Sequence, residues 1–208
     1  MSKDSIIFGI SGVFFGILVG WIIGSQQGAG ARTPVAPEAA QAAASTPGQA
    51  TVKPLDEARA AALSQAATSN PRDVQARLDL GNLYFDSERF ADAARWYEQA
   101  LSIEPRNVSA STDLGIAYYY MNQPDRALQQ FDRSLAIDPR HTKTLLNVGI
   151  VRAFAKDDLD GAAQAWQLVV AYAPDSAEGK RAQQALESLR SAHPNVGAPG
   201  TGSKPSGS

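Results

Sequence analysis

The stock of reactive side chains is thin. Cysteine is absent, and the two histidines are His141 and His193, the latter in a Pro/Gly-rich tail. Without thiols the chain forms no disulfide and no thiolate metal site. Asp157, Asp158 and Asp160 cluster as cation ligands would, but the glycine and terminal glutamate of a calcium loop are missing, so a solvated turn is expected. Asn107-Val108-Ser109 has the form of a glycosylation sequon, a triplet that arises freely and is expected to be unused. His141 falls at a junction between segments and reads as a helix-end residue rather than a base. No Gly-rich phosphate loop, nucleophile elbow or His-Glu metal motif occurs. The expectation is a protein that is not an enzyme, with no catalytic residue, cofactor or metal. The 19 basic residues are balanced by 21 acidic ones, which argues against the basic stripe that a nucleic-acid partner requires. The chemistry that remains is contact chemistry, and its natural carriers are the aromatic residues, Tyr119, Tyr120 and Phe154 among them.

Composition divides the chain that must position them. A short tail (1–5) precedes an apolar segment (6–24), a spacer (25–54) rich in Ala, Gln, Gly, Pro and Thr, a region (55–190) holding most charged and aromatic residues, and a Gly/Pro/Ser tail (191–208). The last has too little apolar surface to offset its ordering entropy and is expected to be disordered. The spacer carries Pro34, Pro37, Pro47 and Pro54 and no periodic apolar positions, so a disordered linker is expected there too.

Ile6 to Ile23 contains 12 residues of Ile, Leu, Val or Phe among 18 and no charge. As a helix at ~1.5 Å per residue it approaches the roughly 30 Å hydrocarbon thickness of a bilayer. Each large apolar residue favours insertion by about 0.3–0.6 kcal/mol, so a transmembrane helix is expected. The run exceeds the ~7–15 residues of a signal-peptide core, which favours a retained anchor over cleavage near Ala29-Gly30-Ala31. Lys3 precedes the span and Arg32 is the first basic residue after it. Positive-inside logic therefore puts the N-terminus in the cytoplasm and the rest across the membrane. Gly12, Gly16, Gly20 and Gly24 recur every four residues and form one stripe, where a second helix backbone can approach closely. That stripe is a candidate for membrane-helix packing and homo-oligomerisation.

Self-similarity organises the rest. Three segments align: Val74 to Asn107, Val108 to His141, and Thr142 to Ser176, of 34, 34 and 35 residues, with the extra residue expected in the turn Lys156-Asp157-Asp158. Leu80-Gly81, Tyr84, Ala93, Tyr97, Ala100 and Pro105 of the first correspond to Leu114-Gly115, Tyr118, Ala127, Phe131, Ser134 and Pro139 of the second. The third offers Val148-Gly149, Arg152, Ala162, Trp166, Val169 and Pro174. Each segment shows two amphipathic helices. The small residues let them approach, the aromatic fills the space beside them, and the proline stops the second helix. Leu55 to Ala67 reads as an N-terminal flanking helix, followed by a turn to residue 73, and Ala177 to Arg190 as a capping helix.

This pattern resembles the tetratricopeptide repeat family over residues 74–176. Departures are Arg77, Ser111 and Leu145 at the usual Trp position, Arg152 for an aromatic, and Pro124 for another. The resemblance implies an all-α solenoid of three hairpins plus flanking helices, standing behind the membrane helix and linker. It also implies a concave face lined by the first helix of each repeat. Carried over, that face comprises Gln75, Leu78, Asn82, Phe85 and Asp86; then Ser109, Thr112, Ile116, Tyr119 and Tyr120; then Lys143, Leu146, Ile150, Ala153 and Phe154. The candidate partner-binding set is Asn82, Phe85, Ile116, Tyr119, Tyr120, Lys143, Leu146, Ile150 and Phe154. Some members clamp a C-terminal carboxylate; Leu78, Asp113 and Asn147 stand at three of the five clamp positions here and argue against that mode.

The implied function is a membrane-anchored scaffold or assembly factor that binds a protein or peptide on the concave face. Two alternatives stay open: a self-associating structural component of an envelope complex, and a subunit resembling the repeat-bearing half of a bacterial cytochrome c maturation factor. The expected location is the bacterial inner membrane, single-pass, with the repeats in the periplasm. The other locations are the cytoplasmic face, or secretion after signal cleavage.

Overall fold

The structure is a computed structural model that describes residues 52–194 and 196. Of the two compact units into which the chain divides, Met1–Val52 and Lys53–Ser208, the described residues belong almost wholly to the second. The expected membrane span, its glycine stripe at Gly12, Gly16, Gly20 and Gly24, the spacer up to residue 51 and most of the tail lie outside the described residues. Among the described residues no helix is long and apolar enough to cross a membrane.

Eight helices and no strand make up the described region: α1 (Glu57–Ser69), α2 (Val74–Asp86), α3 (Phe90–Ile103), α4 (Val108–Tyr120), α5 (Pro124–Ile137), α6 (Thr142–Ala155), α7 (Leu159–Tyr172) and α8 (Ala177–Ala192). Their ends follow from local chemistry. Asp56, Asp73, Asn107, Asp158 and Ser176 each accept a hydrogen bond from the amide three residues on, satisfying a donor that the first helical turn leaves free. Pro124 opens α5, where no amide is needed. At the far ends, Glu104, Asp138 and Ala173 precede proline and leave the helical region, with ψ of 82°, 97° and 65°, since the proline ring disfavours helical angles for its predecessor. Helices α3, α5 and α7 stop there.

The hairpins α2–α3, α4–α5 and α6–α7 share one packing device. Gly81 lies against the Tyr97 ring, Gly115 against Phe131 and Gly149 against Trp166, each so close that a Cβ would overlap the ring. All three rings are buried. Successive hairpins then stack, and α1 and α8 cover the two ends. Helix α4 touches α6, and α6 touches α8, whereas α3, α5 and α7 do not meet one another to a comparable extent. From α4 onward the first helices thus approach one another along one side of the stack, its inner side, and the second helices stay further apart behind them.

Each hairpin turn contains one non-glycine residue in the left-handed region: Glu88 (φ 57°), Asn122 (φ 58°) and Asp157 (φ 53°). The first two turns close with Arg89 N–H to Tyr84 O and Gln123 N–H to Tyr118 O, both 2.9 Å; the third closes one residue further back, Asp158 N–H to Arg152 O, 2.9 Å. The expectation that the extra residue of the third segment lies in its turn is corrected. It is taken into α6, which has 14 residues where α2 and α4 have 13, and the connection stays the same length. Helix α8 also runs two residues past Arg190, and Val196 packs against the C-terminal core beyond it.

Candidate functional site

An aromatic cluster forms where the ends of α2 and α4 meet the start of α3. Phe85 at the end of α2, Phe90 at the start of α3, and Tyr119 and Tyr120 at the end of α4 meet there. Phe90 and Tyr120 are stacked with centroids 4.8 Å apart; Phe85 stands edge-on to both, at 5.1 and 5.3 Å; Tyr119 is edge-on to Tyr120 at 5.8 Å. Offset and edge-on arrangements satisfy the ring quadrupoles, so the cluster holds its shape without a ligand. Tyr120 nevertheless remains 43 % exposed, and Phe154 on α6 is 55 % exposed. Burial pushes the Tyr119 and Tyr120 phenols up, with help from each other at Tyr119 and from Glu88 at Tyr120, so both are neutral hydroxyls at ordinary pH.

Of the polar members, Asn82 is on α2 and Lys143 on α6. Asn82 is exposed, and its Oδ1 accepts from the buried Tyr97 hydroxyl at 2.8 Å. The Tyr97 phenol is pushed far up by burial, and the charges of Asp113 and Asp86 add to the shift. Lys143 donates to Asp113 Oδ1 at 2.6 Å, an ion pair bridging α6 and α4.

Not every candidate residue presents itself. Phe85, Ile116, Tyr119 and Ile150 are partly buried, with Phe85, Ile116 and Tyr119 packed on the central core and Ile150 on the C-terminal one. Leu146 is buried, 7 % exposed, among Leu145, Trp166, Ala182 and Leu186, because α8 closes over it. It is a core residue and leaves the candidate face. Thr112 is likewise fully buried, since α6 covers it.

Two features escaped sequence reasoning. One is Phe90, which stands where the second hairpin has Pro124; its place at the first turn of α3 was the available signal. The other is a hydrogen-bonded network inside the second hairpin and its junction with the third. Gln130 Nε2 donates to Ser111 Oγ at 2.8 Å, Ser134 Oγ donates to Ser111 Oγ at 2.8 Å, and Thr112 Oγ1 lies 2.7 Å from Thr144 Oγ1. His141, which flanks the start of α6 as its N-cap residue, places Nδ1 2.7 Å from Thr144 Oγ1 and 3.4 Å from Thr112 Oγ1. Burial pulls the His141 pKa down, against the opposing pull of Asp138, while Lys143 lowers it further and Asp113 and Glu178 raise it. Asp158, expected in a solvated turn, caps α7 through the Gly161 amide at 2.9 Å. Among the described residues no group of His, Cys, Asp or Glu is arranged to hold a metal ion.

Comparison with known proteins agrees with this architecture. A TPR repeat model matches residues 81–122 and a tetratricopeptide repeat model matches residues 109–141. The hairpins therefore include tetratricopeptide repeats. No sequence among the curated proteins matches. A crystal structure of MamA superposes with a TM-score of 0.57 at 20% identity, covering 64% of this chain and 75% of that one. The first TPR of Spaghetti (RPAP3), bound to the HSP90 peptide SRMEEVD, gives 0.53 at 20% identity over 59% of this chain and 94% of that one. The Arabidopsis OM64 TPR domain gives 0.51 at 18% identity over 55% and 94%. The likeness establishes the α-solenoid fold.

Proposed function

We propose that the chain is a membrane-anchored scaffold that holds another polypeptide along the inner side of its helical stack. The observation that carries this reading is the preformed aromatic cluster, in which Tyr120 stays 43 % exposed, together with Phe154, 55 % exposed at the equivalent position of the next hairpin. Aromatic anchors at the centre of an interface dominate its energy, at ~2 kcal/mol or more each. The similar fold of Spaghetti, which holds a peptide, supports a protein or peptide partner. The mode differs, because the Lys143 ammonium is already engaged by Asp113 at 2.6 Å. An acidic C-terminal tail has no free cation to meet there.

The apolar run at 6–24 supports a single pass through a bacterial inner membrane with the repeats in the periplasm, and the glycine stripe supports pairing of that helix. Mature-protein N-terminal sequencing and protease protection of spheroplasts test the placement: a start at Met1 and digestion from outside are expected, and a start at Arg32 ends the anchor reading. For the binding role, a Tyr119→Ala, Tyr120→Ala double variant is expected to lose the partners that the unaltered chain captures, by about tenfold or more in affinity, while its circular dichroism stays helical. Unchanged capture by a folded variant overturns the reading.

A further inference from the structure

The charges around the aromatic cluster are lopsided. Lys143 and Asp113 cancel across α6 and α4. Arg89, the basic residue nearest the cluster in sequence, is committed elsewhere: it pairs with Asp92 at 2.7 Å and lies over the Tyr84 ring at 4.7 Å. Asp86 and Glu88 are both exposed, and no basic side chain among the described residues pairs with either. Asp86 is the last residue of α2, where the helix dipole is already negative and a carboxylate adds to it. Its charge, after that of Asp113, disfavours ionisation of the Tyr97 hydroxyl, and the charge of Glu88 does the same to Tyr120. The apolar face thus ends in three sources of negative potential: the C-terminus of α2, Asp86 and Glu88.

Resting on the proposed binding role, we infer that the occupant of this face is a cationic polypeptide segment, whose basic side chains meet Asp86 and Glu88 while its apolar side chains cover Tyr119, Tyr120 and Phe154. A lysine or arginine arriving here finds two carboxylates, a helix C-terminus and the exposed ring of Tyr120, all of which attract a cation. An acidic segment is repelled by these carboxylates, and the lysines and arginine nearest the face, Lys143, Lys156 and Arg152, already pair with Asp113, Asp125 and Asp158. Because the carboxylates are exposed, their contribution is modest per pair and screened by salt. It acts on partner choice and association rate more than on total affinity, which the aromatic rings supply.

The test selects short random peptides displayed on phage against the full-length chain in detergent micelles, then measures the retained peptides by fluorescence anisotropy. The expected result is retained peptides that combine lysine or arginine with aromatic or aliphatic residues. Their binding should weaken about three- to tenfold in an Asp86→Asn, Glu88→Gln variant, weaken as salt is raised, and vanish in Tyr119→Ala, Tyr120→Ala. Both carboxylate replacements are near-isosteric on the surface, so helicity by circular dichroism is expected to be unchanged. Retained peptides that are acidic or neutral, or whose binding ignores the Asp86/Glu88 change, overturn the cationic assignment while leaving the inner-side reading standing if Tyr119 and Tyr120 still matter. Retained peptides indifferent to the tyrosines, or no retained peptide at all, overturn both.

Discussion

The second and third hairpins solve the same packing problem with opposite chemistry. Both set a glycine against a large ring, Gly115 on Phe131 and Gly149 on Trp166. Around that socket the second hairpin buries Ser111, Gln130 and Ser134, where the third buries Leu145, Ala165 and Val169 at the corresponding repeat positions. The polar version works because every member finds a partner: no buried side-chain polar atom among the described residues lacks one. The apolar version needs no such bookkeeping. The glycine–ring contact sets the hairpin angle, and its neighbours need only be small or mutually satisfied. The polar version also carries a cost and a capability, since Thr112, Thr144 and His141 tie the second hairpin to the third through a group that titrates.

The sharpest way to break the comparison is to fill the sockets. Gly115→Ala and Gly149→Ala are each expected to destabilise the chain by about 1–3 kcal/mol in urea unfolding, as overpacked cores do. Gly149→Ala should be the worse, because moving the Trp166 ring also disturbs its Nε1–H bond to Leu146 O at 3.1 Å. Equal stability to the unaltered chain would mean the sockets do not set the angle. Next in size is the network. Ser134→Ala removes one of the two donors to Ser111 Oγ, the other being Gln130 Nε2, and should cost about 1 kcal/mol, and the Ser111→Ala, Ser134→Ala double variant should cost less than the two single changes summed. Strict additivity would show that the hydroxyls do not act together.

The pH response should separate the two hairpins further. Burial holds the His141 pKa below its ordinary value near ~6.5. Between those two values the unfolded chain binds more protons than the folded one, so stability is full above about pH 6.5 and falls as pH drops through the folded pKa. His141→Asn should flatten that part of the curve relative to the unaltered chain. Superimposable profiles of melting temperature against pH would contradict it. Smallest is the turn: Asn122→Gly relieves a left-handed residue (φ 58°) and should raise stability by up to about 1 kcal/mol. No change, or a loss, would show that Asn122 makes its own compensating contact.

Much of this was legible in the sequence and some was not, for physical reasons. The helices, their stacking and the sockets were readable because glycine, a large ring and proline recur at one period, and each has a single mechanical meaning there. The extra residue of the third segment was visible, but whether a helix end or a turn absorbs it depends on hydrogen-bond closure, which alignment does not show. Leu146 and Thr112 were placed on the inner face by repeat position. They are buried because the next first helix in the stack leans over them, α8 in one case and α6 in the other. Position within a repeat does not report how closely the next repeat approaches. The serine–threonine–glutamine network depends on the same close approach, so no residue type in the sequence signals it. Asp113 at a clamp position argues against anion binding from the sequence; its 2.6 Å pairing with Lys143, thirty residues on, is visible only in three dimensions.

Amide chemical-shift mapping of the isotope-labelled chain, titrated with a bound peptide, tests the central claim most directly. Perturbations concentrated on the C-terminal halves of α2, α4 and α6, with Tyr119, Tyr120 and Phe154 among the largest, are the predicted outcome. Perturbations confined to α3, α5 and α7, or to the end helices α1 and α8, would contradict it.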